Sequence, residues 1–183
     1  MGLRRAAALI FAAVLLLAPF ARAAGPAPPL VLPTRPPDPP KGPNTGLPLP
    51  RFVSLATDLV NLRVGPGLQY PVKWVYHRRG LPLEVLREFD VWRLVKDPWG
   101  AKGWVHEATI TGTRSFIALG GVRHLRTAAA TTAPVRARLE PGVIGLILRC
   151  DAGAAWCRVK VDGRRGWLRR TSFWGSFAGE AVK

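Results

Sequence analysis

Asn61-Leu62-Arg63, followed by Pro71-Val72-Lys73, is answered 63 residues later by His124-Leu125-Arg126 and Pro134-Val135-Arg136. The echo continues in order. Gly80 opens Leu81 to Arg87 and Gly142 opens Val143 to Arg149; Trp92-Arg93-Leu94-Val95-Lys96 matches Trp156-Cys157-Arg158-Val159-Lys160, and Gly103-Trp104-Val105 matches Gly166-Trp167-Leu168. A period of about 60 residues that needs only small gaps makes the chain beyond Pro50 two copies of one unit, read as 51–113 and 114–177. Within each copy the pattern is that of short strands. Trp92 and Leu94 alternate along one strand that Asp97-Pro98-Trp99-Gly100 turns back into Trp104 and Val105; in the second copy Trp156, Arg158 and Lys160 alternate with Cys157, Val159 and Val161 before the tight-turn pair Asp162-Gly163. No segment after Pro50 sustains a 3.6-residue apolar period, so the class is all-β. An open sheet that small leaves bare edges and buries little, so each copy is expected to close into a small barrel.

These residues carry a family resemblance. Asn61 to Gly67, the turn at Tyr70-Pro71-Val72, Gly80 before an apolar strand, Trp92 on the next strand and Gly103-Trp104-Val105 together resemble the bacterial SH3-like (SH3b) pattern, and the order of the five elements makes the resemblance specific. The expected fold is two tandem SH3-like barrels. The first copy, Phe52 to Ile110, is the better match. In the second, Phe116 to Phe173, Ala128-Ala129-Ala130 stand where the first has Gly65-Pro66-Gly67, which predicts a different conformation for its first long loop. The resemblance implies a non-catalytic binding module of the kind that accompanies exported and cell-wall proteins, with peptidoglycan or its peptides as ligand.

Ahead of the repeats the chain changes character twice. Arg4 and Arg5 precede an apolar run from Ala6 to Phe20 and then Ala21-Arg22-Ala23, the small-x-small pattern of a cleaved signal peptide. The run is shorter than a comfortable bilayer crossing. Residues 1–23 are therefore read as a signal peptide, 24–183 as an exported periplasmic or envelope protein, and no transmembrane segment is expected after cleavage. Residues 24–50 hold 11 of the 18 prolines and read as a proline-rich, semi-rigid linker.

A search for catalytic chemistry finds little. His77, His106 and His124 fall at dissimilar places in the two copies and at no metal-ligand spacing. Glu84, Glu88 and Asp90 cluster, and charge on a strand edge and turn accounts for them. Cys150 and Cys157 flank the turn Asp151 to Ala155 and face each other across a predicted hairpin, so in an oxidising compartment they are expected to form a disulfide. No enzyme, cofactor or metal is expected; a wall hydrolase would need a nucleophile or metal set, none is recognisable in the sequence, and clearing in a zymogram would revive that reading.

Aromatic residues and charge remain. Trp92, Trp104, Trp156 and Trp167 recur at matched positions, which points to core packing. Tyr70, Trp74 and Trp99 have no aromatic counterparts in the second copy and are the candidates for surface contacts, Trp99 foremost because it sits at a hairpin tip. Without the signal peptide the chain has 24 basic and 11 acidic residues, a formal +13. The excess is uneven: Arg114 to Arg170 holds 12 basic and 3 acidic residues, Arg51 to Thr113 holds 9 and 6. Arg164, Arg165, Arg169 and Arg170 bracket Gly166-Trp167 and are expected to share the solvent face of one hairpin. Such a field favours an anionic envelope polymer, peptidoglycan above all; export argues against nucleic acid as the physiological target. A protein partner in the envelope is the alternative.

Overall fold

The computed structural model describes residues 40–183. The expected signal peptide, 1–23, and the expected linker as far as Pro39 lie outside the described residues. The first barrel is built from β1 (Arg51–Leu55), β2 (Val60–Arg63), β3 (Val72–Tyr76), β4 (Pro82–Phe89), β5 (Trp92–Lys96), β6 (Lys102–His106) and β7 (Ile110–Thr111). The second follows as β8 (Ser115–Ala118), β9 (Arg123–Arg126), β10 (Val135–Leu139), β11 (Ile144–Cys150), β12 (Trp156–Val161), β13 (Arg164–Arg169) and β14 (Phe173–Trp174). Each is an antiparallel seven-stranded sheet, ordered β3-β2-β6-β5-β4-β1-β7 and β10-β9-β13-β12-β11-β8-β14. The second order is the first raised by seven. Among the described residues no helix is long and apolar enough to cross a membrane.

Local chemistry explains the shared signature. β2 crosses β6 so closely that a Cβ at Gly103 would meet the Leu62 side chain at 2.6 Å and the Arg63 carbonyl at 2.8 Å; Gly166 meets Leu125 and Arg126 in the same way. Only glycine fits there, which is why each copy has a Gly-Trp pair on this strand. Leu62, Leu83, Val85, Val95 and Val105 fill the first core, and Leu125, Val159, Leu168, Phe116 and the two cysteines fill the second. Asp162 and Gly163 both take positive φ, 45° and 77°, as the predicted tight turn requires.

The first loop of the second copy does not differ. Val64 N–H donates to Pro71, Gly67 to Gly65 and Tyr70 to Gly67; Thr127, Ala130 and Ala133 repeat these three bonds with Pro134, Ala128 and Ala130. Neither Gly65 nor Gly67 uses a positive φ, so alanine can adopt the same backbone. What glycine supplies at 65 is room: a Cβ would strike the Tyr70 ring at 2.4 Å, and the second copy has Ala133 at the Tyr70 position.

The proline-rich stretch is not spacer all the way to Pro50. From Pro40 it folds back as a small hairpin, with Gly42 N–H donating to Leu47 and Leu49 N–H to Pro40, and Leu49 is buried in the first core. Its anchor is Glu88. Glu84 and Glu88 are buried rather than edge charges: Glu84 pairs with Lys96 at 2.5 Å, and Glu88 pairs with Arg51 at 2.7 Å and Arg93 at 3.7 Å. The second barrel likewise extends past residue 177, where Val182 pairs with Cys150 through two backbone bonds of 2.9 Å and Glu180 grips Arg114 through bonds of 2.7 and 2.9 Å.

Cys150 and Cys157 form the expected disulfide, with Cα atoms 4.5 Å apart on directly paired positions of β11 and β12. Glu88 and Arg93 occupy the same paired positions in β4 and β5. One barrel ties this hairpin with an ion pair and the other with a covalent bond. Replacing both cysteines by alanine is expected to cost about 2 kcal/mol, the low end for a disulfide because the enclosed loop is short. Urea unfolding with and without reductant measures this, and the Val182 amide should lose exchange protection at the same time.

The barrels also share a boundary. Ile117 of β8 belongs to the first barrel's core cluster, with Leu119, Ile144 and Trp174 packed against it. The buried Ser54 hydroxyl donates to the Thr113 carbonyl at 2.6 Å and accepts from Ser115 at 2.5 Å. Phe52 lies against Trp174 and Phe177, each with ring centroids 4.7 Å away.

Candidate functional site

Alternation along β12 and β13 divides their residues between core and solvent. Cys157, Val159, Val161 and Leu168 are buried. The other set forms rows across the outer face. Trp156 pairs with Arg169, Arg158 with Trp167, and Lys160 with Arg165; Trp167 pairs on its other side with Arg126 of β9. The Arg169 guanidinium lies over the Trp156 ring, 5.6 Å from its centroid. Arg136 of β10 closes the last row by donating to the Arg165 carbonyl at 3.0 Å. Two rows therefore set an indole beside cations, and the third is cationic throughout.

The charge on this face is unopposed. Arg126, Arg158, Lys160, Arg165 and Arg169 stand on it, and none of the strands β9, β10, β12 and β13 contains Asp or Glu. The first barrel has the same rows with different chemistry. Trp92 and His106 meet nearly perpendicular, ring centroids 5.4 Å apart, Leu94 pairs with Trp104, and Lys96 is neutralised by Glu84.

The four predicted arginines separate. Arg165 and Arg169 lie on the basic face and are exposed; Arg164 is exposed beside the turn, on the opposite phase of the alternation. Arg170 is a staple. Its guanidinium donates to the carbonyls of Ala154 (3.1 Å), Phe177 (3.1 Å) and Asp151 (3.2 Å), tying the turn after β11 to the C-terminal segment. The four matched tryptophans are not all core either: Trp92 is buried, whereas Trp104, Trp156 and Trp167 are half-buried on the outer faces. The same alternation that pairs Arg165 with Arg169 places Trp167 between them. Repetition between copies concealed that signal, because a residue can recur for its place on a surface as well as in a core.

Tyr70, Trp74 and Trp99 are all exposed, at 38%, 60% and 64%, on the first barrel. Each has a rigid mount. Arg63 holds the loop through the carbonyls of Leu68 (3.1 Å) and Tyr70 (2.7 Å). The Asp97 carboxylate accepts from the amides of Trp99 (2.9 Å) and Ala101 (2.8 Å), fixing the turn that carries Trp99, and from the Tyr76 hydroxyl at 3.0 Å. Burial first, then the charge and hydrogen bond of Asp97, push the Tyr76 phenol well above its ordinary pKa, so this link stays protonated. Lys73 reaches the Lys102 carbonyl at 3.3 Å, so β3, which carries Trp74, is stitched to the same hairpin at two points. Val64, Leu68 and Val72 are exposed on the same loop and strand.

Both cysteines are consumed by the disulfide, and His106 accepts at Nδ1 from the Ala108 amide at 3.2 Å as the cap of a single 3-10 turn. Among the described residues no three His, Cys, Asp or Glu side chains are placed to hold a metal ion.

Two segments, 56–112 and 123–175, match the bacterial SH3 domain family. No curated protein matches the chain. Among solved structures it is similar to NlpC2 of Trichomonas vaginalis, at 12% identity and a TM-score of 0.31 over 69% of this chain, and to NlpC1 of the same organism, at 12% and 0.32 over 73%. The chain spans about half, 48%, of each.

Proposed function

The chain belongs to the bacterial SH3 domain family, in two tandem copies, and from that premise we propose that it is an exported, non-catalytic binding protein of the cell envelope whose second barrel holds an anionic polymer, peptidoglycan foremost. The observation that carries this reading is the outer face of β9, β12 and β13, where Arg126, Arg158, Lys160, Arg165 and Arg169 meet no acid and Trp156 and Trp167 stand between them. Cations attract the carboxylates of the peptide stems, and the indole faces give sugar or peptide a flat surface to lie on. The Arg4-Arg5 and Ala21-Arg22-Ala23 signals support export, and a disulfide is stable in such a compartment. The exposed aromatics of the first barrel, Tyr70, Trp74 and Trp99, add a second contact.

Co-sedimentation with purified peptidoglycan across a salt series tests the reading. Changing Arg158, Lys160 and Arg165 together to glutamine is expected to weaken binding at least about tenfold and to flatten its salt dependence, because these outward-facing charges act through a field screened over about 8 Å at physiological ionic strength. Trp99→Ala should weaken binding with the salt dependence retained. A wild-type protein that stays in the supernatant at low ionic strength refutes the polymer reading. The adaptor reading then takes its place, favoured by one observation: β3 is an edge strand with Val72 and Trp74 exposed, a surface onto which a partner's strand could add.

A further inference from the structure

At one end of the basic face is a cleft of about 210 Å³ lined by Arg123, His124, Arg126, Thr131, Trp156 and Arg169, with Val122 and Ser172 at its rim. No acidic side chain lines it. Like charges gathered without a counter-ion repel one another, yet each arginine here is held in place by one contact. Arg123 Nε donates to the Leu119 carbonyl at 2.8 Å, Arg126 Nη1 to the Ala133 carbonyl at 2.6 Å, and Arg169 rests on the Trp156 ring. A guanidinium has five N–H donors, so most of theirs have no protein partner among the described residues. The antiparallel register that pairs Arg126 with Trp167 runs His124 toward Arg169 on the neighbouring strand. At the matching place the first barrel has Val60, Asn61 and His106 where the second has Arg123, His124 and Arg169. Arg123 and Arg169 are thus additions to the shared scaffold, whereas Arg126 keeps the place and the loop bond of Arg63.

We propose that this cleft binds a single terminal anionic group, a carboxylate or a phosphate, in the fork of Arg123, Arg126 and Arg169 with Trp156 as its wall. The volume is below that of pockets that enclose a whole small molecule, which start near about 300 Å³, and suits the charged end of a longer ligand. Arginines already oriented by backbone carbonyls and an indole lose little freedom on binding, so even one anionic group gains directed, charge-assisted hydrogen bonds. The inference rests on the reading of the second barrel as the polymer-binding face and names the group that it would grip.

The test is an NMR titration of the isotope-labelled full chain, following the Trp156 indole N–H and the arginine Nε–H signals. N-acetyl-alanyl-alanine, its C-terminal amide and inorganic phosphate are the three probes. The dipeptide acid is expected to shift Trp156 and Arg169 saturably and the amide to shift neither. Saturation by phosphate alone assigns the site to phosphate-bearing ligands, and saturation by the dipeptide acid assigns it to peptide carboxylates; either supports the site. Arg126→Gln and Arg169→Gln should each weaken the response about tenfold, as loss of a charge-assisted bond does. Arg149→Gln, which removes the same charge outside the cleft, should change it less than about twofold. Equal losses in all three variants, or no saturable shift with either anion, overturn the proposal. If the small anions bind but peptidoglycan does not co-sediment, the cleft stands and the polymer reading falls; the reverse pattern overturns the cleft alone.

Discussion

Glu88→Gln is expected to destabilise the first barrel by about 3–5 kcal/mol, the cost of removing one partner from a buried ion network, and to release the hairpin of residues 40–50. The Glu88 side chain has no solvent exposure. Its carboxylate accepts from the amides of Asn44 and Thr45, both at 3.0 Å, from the Thr45 hydroxyl at 2.6 Å and from Arg51 at 2.7 Å. Arg93 stands behind it and continues to Glu107. Burial by itself would raise the Glu88 pKa, but the bonds from Thr45, Arg51 and Asn44 outweigh it and hold the group at about 2, below its ordinary 4.5. A folded-state pKa below the unfolded one stabilises the protein fully above about pH 5, and this contribution is lost as pH falls toward 2. Glutamine keeps the shape but turns an amide N–H₂ toward donors that need an acceptor. Urea unfolding at pH 7 and pH 3 gives the measurement: the gap between wild type and variant should be large at pH 7 and shrink at pH 3, and the Asn44 and Thr45 amides should lose exchange protection in the variant. A gap under about 1 kcal/mol at pH 7 contradicts the role assigned to Glu88.

Glu88 also marks where the sequence stops being legible. An acid in a strand is ordinarily solvated, and what reverses this here is a segment more than forty residues upstream. Proline content identifies a stiff segment but not the place where it docks. By contrast, the two barrels, their turns and the disulfide follow from local chemistry: Gly103 and Gly166 are demanded by a close crossing, Asp162-Gly163 by a tight turn, and the cysteines by facing positions on one hairpin. The candidate site was half legible. Charge counting found Arg165 and Arg169, but it also drew in Arg170, whose donors are spent on backbone carbonyls, and only the cross-strand register joins Arg126, Arg158 and Lys160 to them.

Phe52→Ala should produce the other large effect, a loss of about 3–5 kcal/mol together with a change in how the chain unfolds. On β1, Val53 and Leu55 belong to the first barrel's own core, whereas the ring of Phe52 meets the second barrel. Trp174 stands nearly perpendicular to it at an interplanar angle of 85°, Phe177 lies tilted at 48°, and the Arg114 guanidinium sits over the ring at 5.7 Å, itself fixed by Glu180. Phe52 thereby joins β1, β14 and the C-terminal segment at one point. Removal of the ring leaves a cavity among groups that two separate sheets hold apart, so neither can collapse into it cheaply. With Ile117 in the first core and Ser54 bonded to Ser115, the wild-type barrels are expected to melt together, with calorimetric and van't Hoff enthalpies in agreement. In the variant the midpoint should fall by roughly 10 °C and the transition should broaden or divide as the barrels melt apart. Binding should register the same change. A rigid pair presents the basic face and the first barrel's aromatics in one fixed geometry, and loosening the junction lowers the effective concentration of one for a ligand held by the other. Phe52→Ala should therefore weaken co-sedimentation although Phe52 belongs to neither surface. A variant that melts as one unit and binds peptidoglycan as tightly as wild type would show that the junction does not couple the barrels.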